Sequence, residues 1–598
     1  MGLKLCSLLL ASGGLLLACG PASAEATVVE HTGDAIWTEL DLRRPGVREM
    51  RLQRTYQHTM GRSGHFGANW GSLLDTRLEV EPDGGVRVTA FGGDSIANDL
   101  ALPQYGSPSP ACCAVARYAY APPPMAPKEL AEVVERLTRA AFDGRSPGPE
   151  EEASHRRRLL RDRAFRNAEW RRLQAHVPSR DLKPGAQLKR LTLRHDCDVW
   201  CCTRAYPELL VRTDSGYEER GPFRERVWYD EAGRLVGSSD SNGNADRLTW
   251  SDDRRAVAWA DRFGHALRFT LDAAGRVSAV EDERQVRVTY RYNERDELIE
   301  VTHPTQGVSR YGYEDGGTHR LVAAQDRHGA TRFEYEALGA GGRVSKCVDP
   351  NGVEFEWSYK DGPSEVAERD GSAVTIRRLV VDTKITRPHH TSDRRHVELL
   401  LRQEPGAPLW IVQRLSDDVL WVFNALGKLD AAGGDRYTYD PKGRLVRAST
   451  FFNTLTFTYA PDMPRVVRIT HPAPGGAGKA LWETLKHDDR GNVTAFEDSR
   501  GRLRHCEYDA EGRLVRLHMD RQQTLEVTYD NDCRPVRLRL AGIGLEPEEM
   551  RVSYDSDGKV VEVALPAAHR QASQDRFREA LRELDAARNP GRMFQGAW

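Results

Sequence analysis

An all-β fold, laid out as a long antiparallel sheet of repeated units, is predicted for this 598-residue chain by three features. Tyr229, Trp250, Leu271, Tyr292, Tyr313, Tyr335 and Tyr359 recur at spacings of 21, 21, 21, 21, 22 and 24 residues. A fixed period of that size marks units that bury their apolar face only against their neighbours. Before these positions the chain alternates apolar and polar residues, as in Val286-Arg287-Val288-Thr289-Tyr290-Arg291-Tyr292, the period-two pattern of strands with one buried face. Two turns punctuate each unit, one like Asp230-Glu231-Ala232-Gly233 and one like Asp240-Ser241-Asn242-Gly243, the second kind recurring at 261–264, 326–329 and 349–352.

Taken in order, residues 1–24 read as a targeting segment. Lys4 is a minimal basic region, and residues 5–17 form an apolar run too short for a membrane span. Leu16-Leu17-Ala18-Cys19 resembles a bacterial lipobox, which would make Cys19 a lipidated N-terminus, and Ala22-Ser23-Ala24 fits signal-peptidase cleavage equally well. Both predict export: to the periplasm, outer membrane or cell surface with the lipid, to the medium without it. The lipid on Cys19 is the only membrane attachment expected. The 86 basic residues balance 88 acidic ones, so no bulk field draws the chain to nucleic acid.

Residues 25–121 read as an N-terminal β domain that caps the sheet edge, and 122–180 as a helical insertion opened by Pro122-Pro123-Pro124. Leu130, Val133, Val134, Leu137 and Ala141 share one helical face. A second helix over about 150–176 places Leu160, Ala164 and Ala168 on one side, and its arginines, from Arg156 to Arg166, read as a solvated face before a patch for an anionic partner. Cysteines bracket the insertion: Cys112 and Cys113 before it, Cys197, Cys201 and Cys202 after it. In an exported protein these are disulfide candidates that clip the base of the insertion. The competing metal site of His195, Cys197, Cys201 and Cys202 lacks a standard Cys-x-x-Cys spacing. Cys506 reads as a small core residue.

The first array covers 181–362. An irregular β segment follows over 363–436, and a second array over 437–565, restarting at Tyr439-Asp440-Pro441-Lys442-Gly443-Arg444-Leu445 and continuing through Tyr459, His487, Tyr508-Asp509-Ala510-Glu511-Gly512, Tyr529 and Tyr554. Residues 566–598 read as a helix and tail, with Phe577, Leu581 and Leu584 on one face.

The motif Tyr-Asp-x-x-Gly-Arg-Leu closed by Asp-x-x-Gly resembles the YD repeat of the RHS family, large and mostly bacterial surface or secreted proteins whose arrays form shells. Gly33-Asp34, Leu40-Asp41-Leu42-Arg43-Arg44-Pro45-Gly46, Arg54-Thr55-Tyr56 and Phe66-Gly67-Ala68-Asn69-Trp70-Gly71 are similar to the uncharacterised domain that commonly precedes such arrays. Family members acting as polymorphic toxins end in a self-cleaving Asp-Pro-x-Gly-Leu motif and a variable toxin. Here the nearest match, Asp349-Pro350-Asn351-Gly352-Val353, lies mid-array and reads as an ordinary turn, and no toxin is recognised in the 44 residues after Tyr554.

No Gly-x-Ser-x-Gly, no His-Glu-x-x-His and no phosphate-cradling glycine loop is present, so no catalytic residue, cofactor or metal is expected. The motif tyrosines Tyr229, Tyr292, Tyr313 and Tyr335 and their second-array counterparts read as core rungs ahead of a sugar-stacking platform. The expected role is an exported, non-enzymatic scaffold or shell linked to surface interaction or interbacterial competition, with a protein, a glycan or a separately encoded effector polypeptide as partner. A carbohydrate- or protein-binding adhesin is the alternative, and an enzyme with a hidden site the third reading.

Overall fold

Strand pairing follows the chain from one hairpin to the next. The structure, a computed structural model, describes residues 25–580 apart from 91–113, 120–126, 170–186, 196–208, 565–575 and several shorter stretches. Strands Arg226–Asp230, Leu235–Ser239, Ala245–Trp250, Ala256–Asp261, Ala266–Leu271 and Val277–Asp282 each pair antiparallel with the next. The same order runs on through Val344–Val348 and into the second array as far as Val560–Ala564. The fold is mostly β, long antiparallel sheet with a small helical insertion. Alternation sets the faces as expected: Leu267, Phe269 and Leu271 are buried while Arg268 and Thr270 between them are exposed.

A polar circuit recurs along the arrays, seen whole at the unit that opens with Asp272. The Asp272 carboxylate accepts the N–H groups of Ala274 and Arg276 and the Arg276 Nε–H at 2.8 Å. The Arg276 guanidinium lies 4.4 Å from the centre of the next unit's Tyr292 ring. At Tyr292 the ladder slips by one residue, a β-bulge, and the Tyr292 hydroxyl donates to Val277 O at 2.7 Å. Tyr313, Tyr335, Tyr459, Tyr508, Tyr529 and Tyr554 donate in the same way to Leu298, Leu321, Leu445, Val493, Leu514 and Pro535. The motif therefore ties each unit to the one before it through side chains as well as through the ladder.

Where the period fades, over 363–436, the strands lengthen. Glu354–Arg369, Ser372–Thr386 and Asp393–Gln403 pair antiparallel with each other and with their neighbours on either side, with register shifts at Asp361/Ser364 and Leu400/Leu401, so the two arrays are joined through one ladder. Leu379, Val381, Val397, Leu399 and Leu401 form their own buried cluster there.

The N-terminal domain pairs Glu25–Val29 with Asp34–Arg44 and the latter with Met50–Gln57. Beyond the edge position that the sequence predicts for it, Trp37, Tyr56, Phe66 and Trp70 share one core with Tyr290, Tyr311 and Phe333, so this part of the domain packs on the face of the first array. Its last segment, Arg77–Val80, joins the ladder through Val86–Ala90 and Ala114–Ala119, and Leu78 N–H donates to Gly233 O at 2.7 Å.

The helical insertion sits between Ala114–Ala119 and Gln187–His195, which pair with each other. Helices Pro127–Ala141 and Pro149–Arg161 close on Val134, Leu137 and Leu159. The phase of the second helix is a correction: Leu159 is buried and Leu160 is 44% exposed. One i to i+1 step rotates a helical side chain by about 100°, and packing on Val134 and Leu137 selects the former. Arg156 bonds Glu135, Arg158 covers the Phe165 ring and Arg166 donates to Leu159 O, so these arginines serve the hairpin itself. At the far end Phe577 and Ala580 are buried against the second array, whereas Leu581 and Leu584 lie outside the described residues.

Candidate functional site

The junction between the N-terminal domain and the repeats is the most elaborated polar site of the fold. Alternation along Met50–Gln57 puts Arg54 and Tyr56 on the face turned to the array. Glu39 and Asp41, two residues apart on the partner strand, share the face turned to Arg54, and the bulge between Leu40 and Leu42 brings Leu42 and Arg44 onto that face as well. Arg54 Nε donates to Asp41 Oδ2 at 2.5 Å, and its Nη2 donates to Asp41 Oδ1 at 2.8 Å and Glu39 Oε2 at 2.7 Å. The array completes the shell: Tyr290 OH donates to Asp41 at 2.8 Å and Tyr311 OH to Glu39 at 2.6 Å. Trp70, Phe66, Tyr290 and Tyr311 surround the guanidinium, with ring centres at 4.8, 6.0, 5.7 and 5.7 Å.

Burial alone would lower the Arg54 pKa, but Asp41, Tyr311 and Glu39 outweigh it and hold the cation well above its ordinary value. Burial raises both Tyr290 and Tyr311, and their carboxylate partners add to the rise. One cation, two anions and two phenol donors, all buried, form a lock: no group in it is open to a substrate.

Around this lock the domain spans several consecutive units. Arg44 pairs with Glu283. The Tyr56 hydroxyl donates to His319 O at 2.7 Å and accepts from Leu321 N–H at 2.9 Å. Trp70 Nε1 donates to the Tyr313 hydroxyl at 2.9 Å. Main-chain bonds run from Val277 N–H to His65 O at 2.7 Å, from Ala68 N–H to Asp296 O at 2.7 Å and from Val344 N–H to Gly33 O at 2.9 Å. Val277, Leu321 and Val344 hold the same place in their units, the first residue of the returning strand at the bulge. At these three bulges the N–H turns off the ladder, and the N-terminal domain answers it.

His58 closes the last of these contacts. Its Nδ1 accepts the Ala35 N–H at 3.0 Å, so its Nε2 carries the proton and faces Gly342 O at 3.1 Å. Burial pushes the imidazole below its ordinary value, Arg320 adds to the push and Asp34 opposes it. The unfolded chain protonates this group near pH 6.5, so it binds more protons than the folded chain just below that pH. The stability held at this site is present above about pH 6.5 and lost as the pH falls towards the folded value. Hydrogen exchange at Val344 is expected to accelerate below about pH 6.5, once intrinsic rates are divided out, and His58→Asn to remove that dependence.

The residues singled out in the sequence fall into three groups. Tyr292, Tyr313, Tyr335, Tyr508, Tyr529 and Tyr554 are rungs of the circuit, whereas Tyr229 donates to the Glu219 carboxylate at 2.9 Å. Tyr439 ends its strand with its phenol pushed up by burial, and Asp440 follows it. Asp230 and Asp509 accept the turn N–H groups of Arg234 and Arg513. Gly233 and Gly512 supply positive φ at +77° and +81°. Cys506 and Cys347 are both buried, and burial raises the pKa of Cys347 to about 12. Gly443, Cys19, Cys112, Cys113, Cys197, Cys201 and Cys202 lie outside the described residues. The sequence reading missed Glu39, Asp41, Arg54 and the second aromatics Tyr290 and Tyr311. The available signal was the tyrosine pairs Tyr290/Tyr292 and Tyr311/Tyr313 in two consecutive units, whose first members bring buried hydroxyls.

Among the described residues no cluster of His, Cys, Asp and Glu is arranged to hold a metal, and no helix is long and apolar enough to cross a membrane. Residues 27–97 match the model of a Domain of unknown function (DUF6531), and residues 272–308 that of the RHS Repeat. The chain is similar to Double-stranded DNA deaminase toxin A of Burkholderia cenocepacia, at 25% identity over 340 residues, 49% of this chain and 22% of that protein. It thus spans about a fifth of that relative's length. Among solved structures it is similar to the Photorhabdus luminescens Tc holotoxin pore with a mutated TccC3, at 11% identity, over 96% of this chain and 38% of that one, with a TM-score of 0.29. A TcdB2-TccC3-TEV structure matches at 11% identity over 95% and 39%, with a TM-score of 0.29.

Proposed function

Because this chain is an RHS/YD-repeat protein with a DUF6531 domain ahead of its repeats, we propose that it works as a non-catalytic scaffold whose sheet holds polypeptide against its face. One observation carries the reading: the bulge N–H groups of Val277, Leu321 and Val344, in separate units, are each answered by the N-terminal domain. A sheet face that holds one segment of its own chain through bulge N–H groups is suited to holding further polypeptide beyond that segment, and a separately encoded effector is the proposed cargo. Co-expression with polypeptides encoded beside it, followed by pull-down and size-exclusion, tests this. A stable complex protected from protease is expected. Binding on a glycan array, with no polypeptide retained, would instead favour the adhesin.

Export through the leader, with lipid on Cys19 or cleavage after Ala24, belongs to the same proposal, and mass spectrometry of the processed N-terminus reads it. So does a disulfide between Cys112 or Cys113 and one of Cys197, Cys201 and Cys202. The register Ala114↔His195 supports it by pairing residues that neighbour both clusters. Non-reducing peptide mapping is expected to find that bridge.

The scaffold reading includes no self-cleavage. Asp349 Oδ1 accepts the N–H groups of Asn351 and Val353, both at 2.8 Å, as Asp498 does those of Arg500 and Arg502. Its carboxylate serves an ordinary turn. A single band on a denaturing gel after long incubation is expected, unchanged by Asp349→Ala. Two stable fragments that vanish in that variant would overturn the point.

A further inference from the structure

The sheet winds round until turns 249 to 267 residues apart in sequence touch. Asn492 Nδ2 donates to Asn242 Oδ1 at 2.9 Å, and Asn244 Nδ2 to Glu511 O at 2.7 Å. Arg262 pairs with Glu511 at 3.1 Å and Arg224 with Asp489 at 2.6 Å. The fit is close: a Cβ on Gly512 would lie 2.2 Å from the Asn242 amide nitrogen.

This seam differs in kind from the ladder it joins. Among the described residues every hydrogen bond across it involves a side chain, and no strand pairing crosses it. The two flanks belong to separate buried cores, Leu248, Trp259 and Leu267 on one side and Phe496, Leu514 and Leu517 on the other. Arg224 and Asp489 are more than half exposed, with side chains 57% and 68% accessible, and Arg262 is 47% accessible. Exposed pairs of this kind contribute little and are screened by salt, whereas the main-chain ladder is not.

We infer that the seam is a reversible latch, the line along which the wound sheet opens and recloses while its ladder stays intact. The inference stands on the seam alone and holds whether or not the sheet carries a second polypeptide.

The test uses the full chain with Arg224→Lys and Arg262→Lys, which keep the charges and supply amines. A zero-length carbodiimide then couples each amine to a carboxylate in contact with it. The native pair Lys384–Glu356, at 2.9 Å between ladder-paired residues, is the internal control. Crosslinks from position 224 to Asp489 and from 262 to Glu511 are expected at low salt. At about 1 M salt, where the Debye length is about 3 Å, their yield is expected to fall roughly fivefold or more relative to the control. Absence of both crosslinks at low salt would overturn the closed seam. Yields that track the control at every salt concentration would overturn the latch, leaving a fixed contact.

Discussion

Arg54→Ala is expected to lower the free energy protecting Arg287–Tyr292 and Gly307–Tyr313 from hydrogen exchange by about 3–5 kcal/mol, the range found when one partner of a buried ion pair is removed. Those strands carry Tyr290 and Tyr311, the phenols that reach the two carboxylates beside Arg54. The cost arises less from the lost attraction than from what remains: Asp41 and Glu39, both buried, with phenol and indole donors and no cation. Arg54→Met, which keeps most of the volume, is therefore expected to fare nearly as badly. Adding Glu39→Gln and Asp41→Asn to Arg54→Met is expected to recover much of the loss, because the stranded charges go with it. Exchange in Leu503–Tyr508, in the separate second core, is expected to stay as it was.

The second large effect is expected at a glycine. Gly233 and Gly275 occupy the same place in their units, with φ of +77° and +84°. Alanine at either pays the left-handed strain, about 1–2 kcal/mol. They differ in surroundings: a Cβ on Gly233 would lie 1.9 Å from Leu78 O, whereas on Gly275 nothing lies within 4 Å. Gly233→Ala must also break the Leu78 N–H bond to Gly233 O and push Arg77–Val80 away. A loss of about 3 kcal/mol or more is expected there, against about 1–2 for Gly275→Ala. Exchange at Leu78 reads the difference, rising steeply in the first variant and little in the second.

The strands of the repeats were legible because their alternation is uninterrupted and one face is buried; Leu267, Phe269 and Leu271 announce themselves. The tyrosines were legible as rungs, but not as hydroxyl donors, since the carbonyls they reach are freed by a bulge that no local pattern reveals. Docking of the N-terminal domain was hidden for a related reason. Alternation puts Asp41 beside Glu39, but only the bulge after Leu40 carries Leu42 and Arg44 onto the same face. Over 363–436 the period lapses because a pair of strands outgrows the two-strand unit that set it, as Glu354–Arg369 does with Ser372–Thr386. The seam lies beyond any sequence reading, since Asn242 and Asn492 meet only after the sheet has wound round.

The central claim is that the repeat sheet holds the N-terminal domain across its face through the off-ladder N–H groups of three of its units. Residue-resolved hydrogen exchange at Val277, Leu321 and Val344 tests it most directly. These three amides are expected to be protected to the level of their ladder neighbours Ala279, Ala323 and Lys346, and to lose that protection together in Arg54→Ala while the neighbours lose less. Fast exchange at all three in the unaltered chain, beside protected neighbours, would contradict the account.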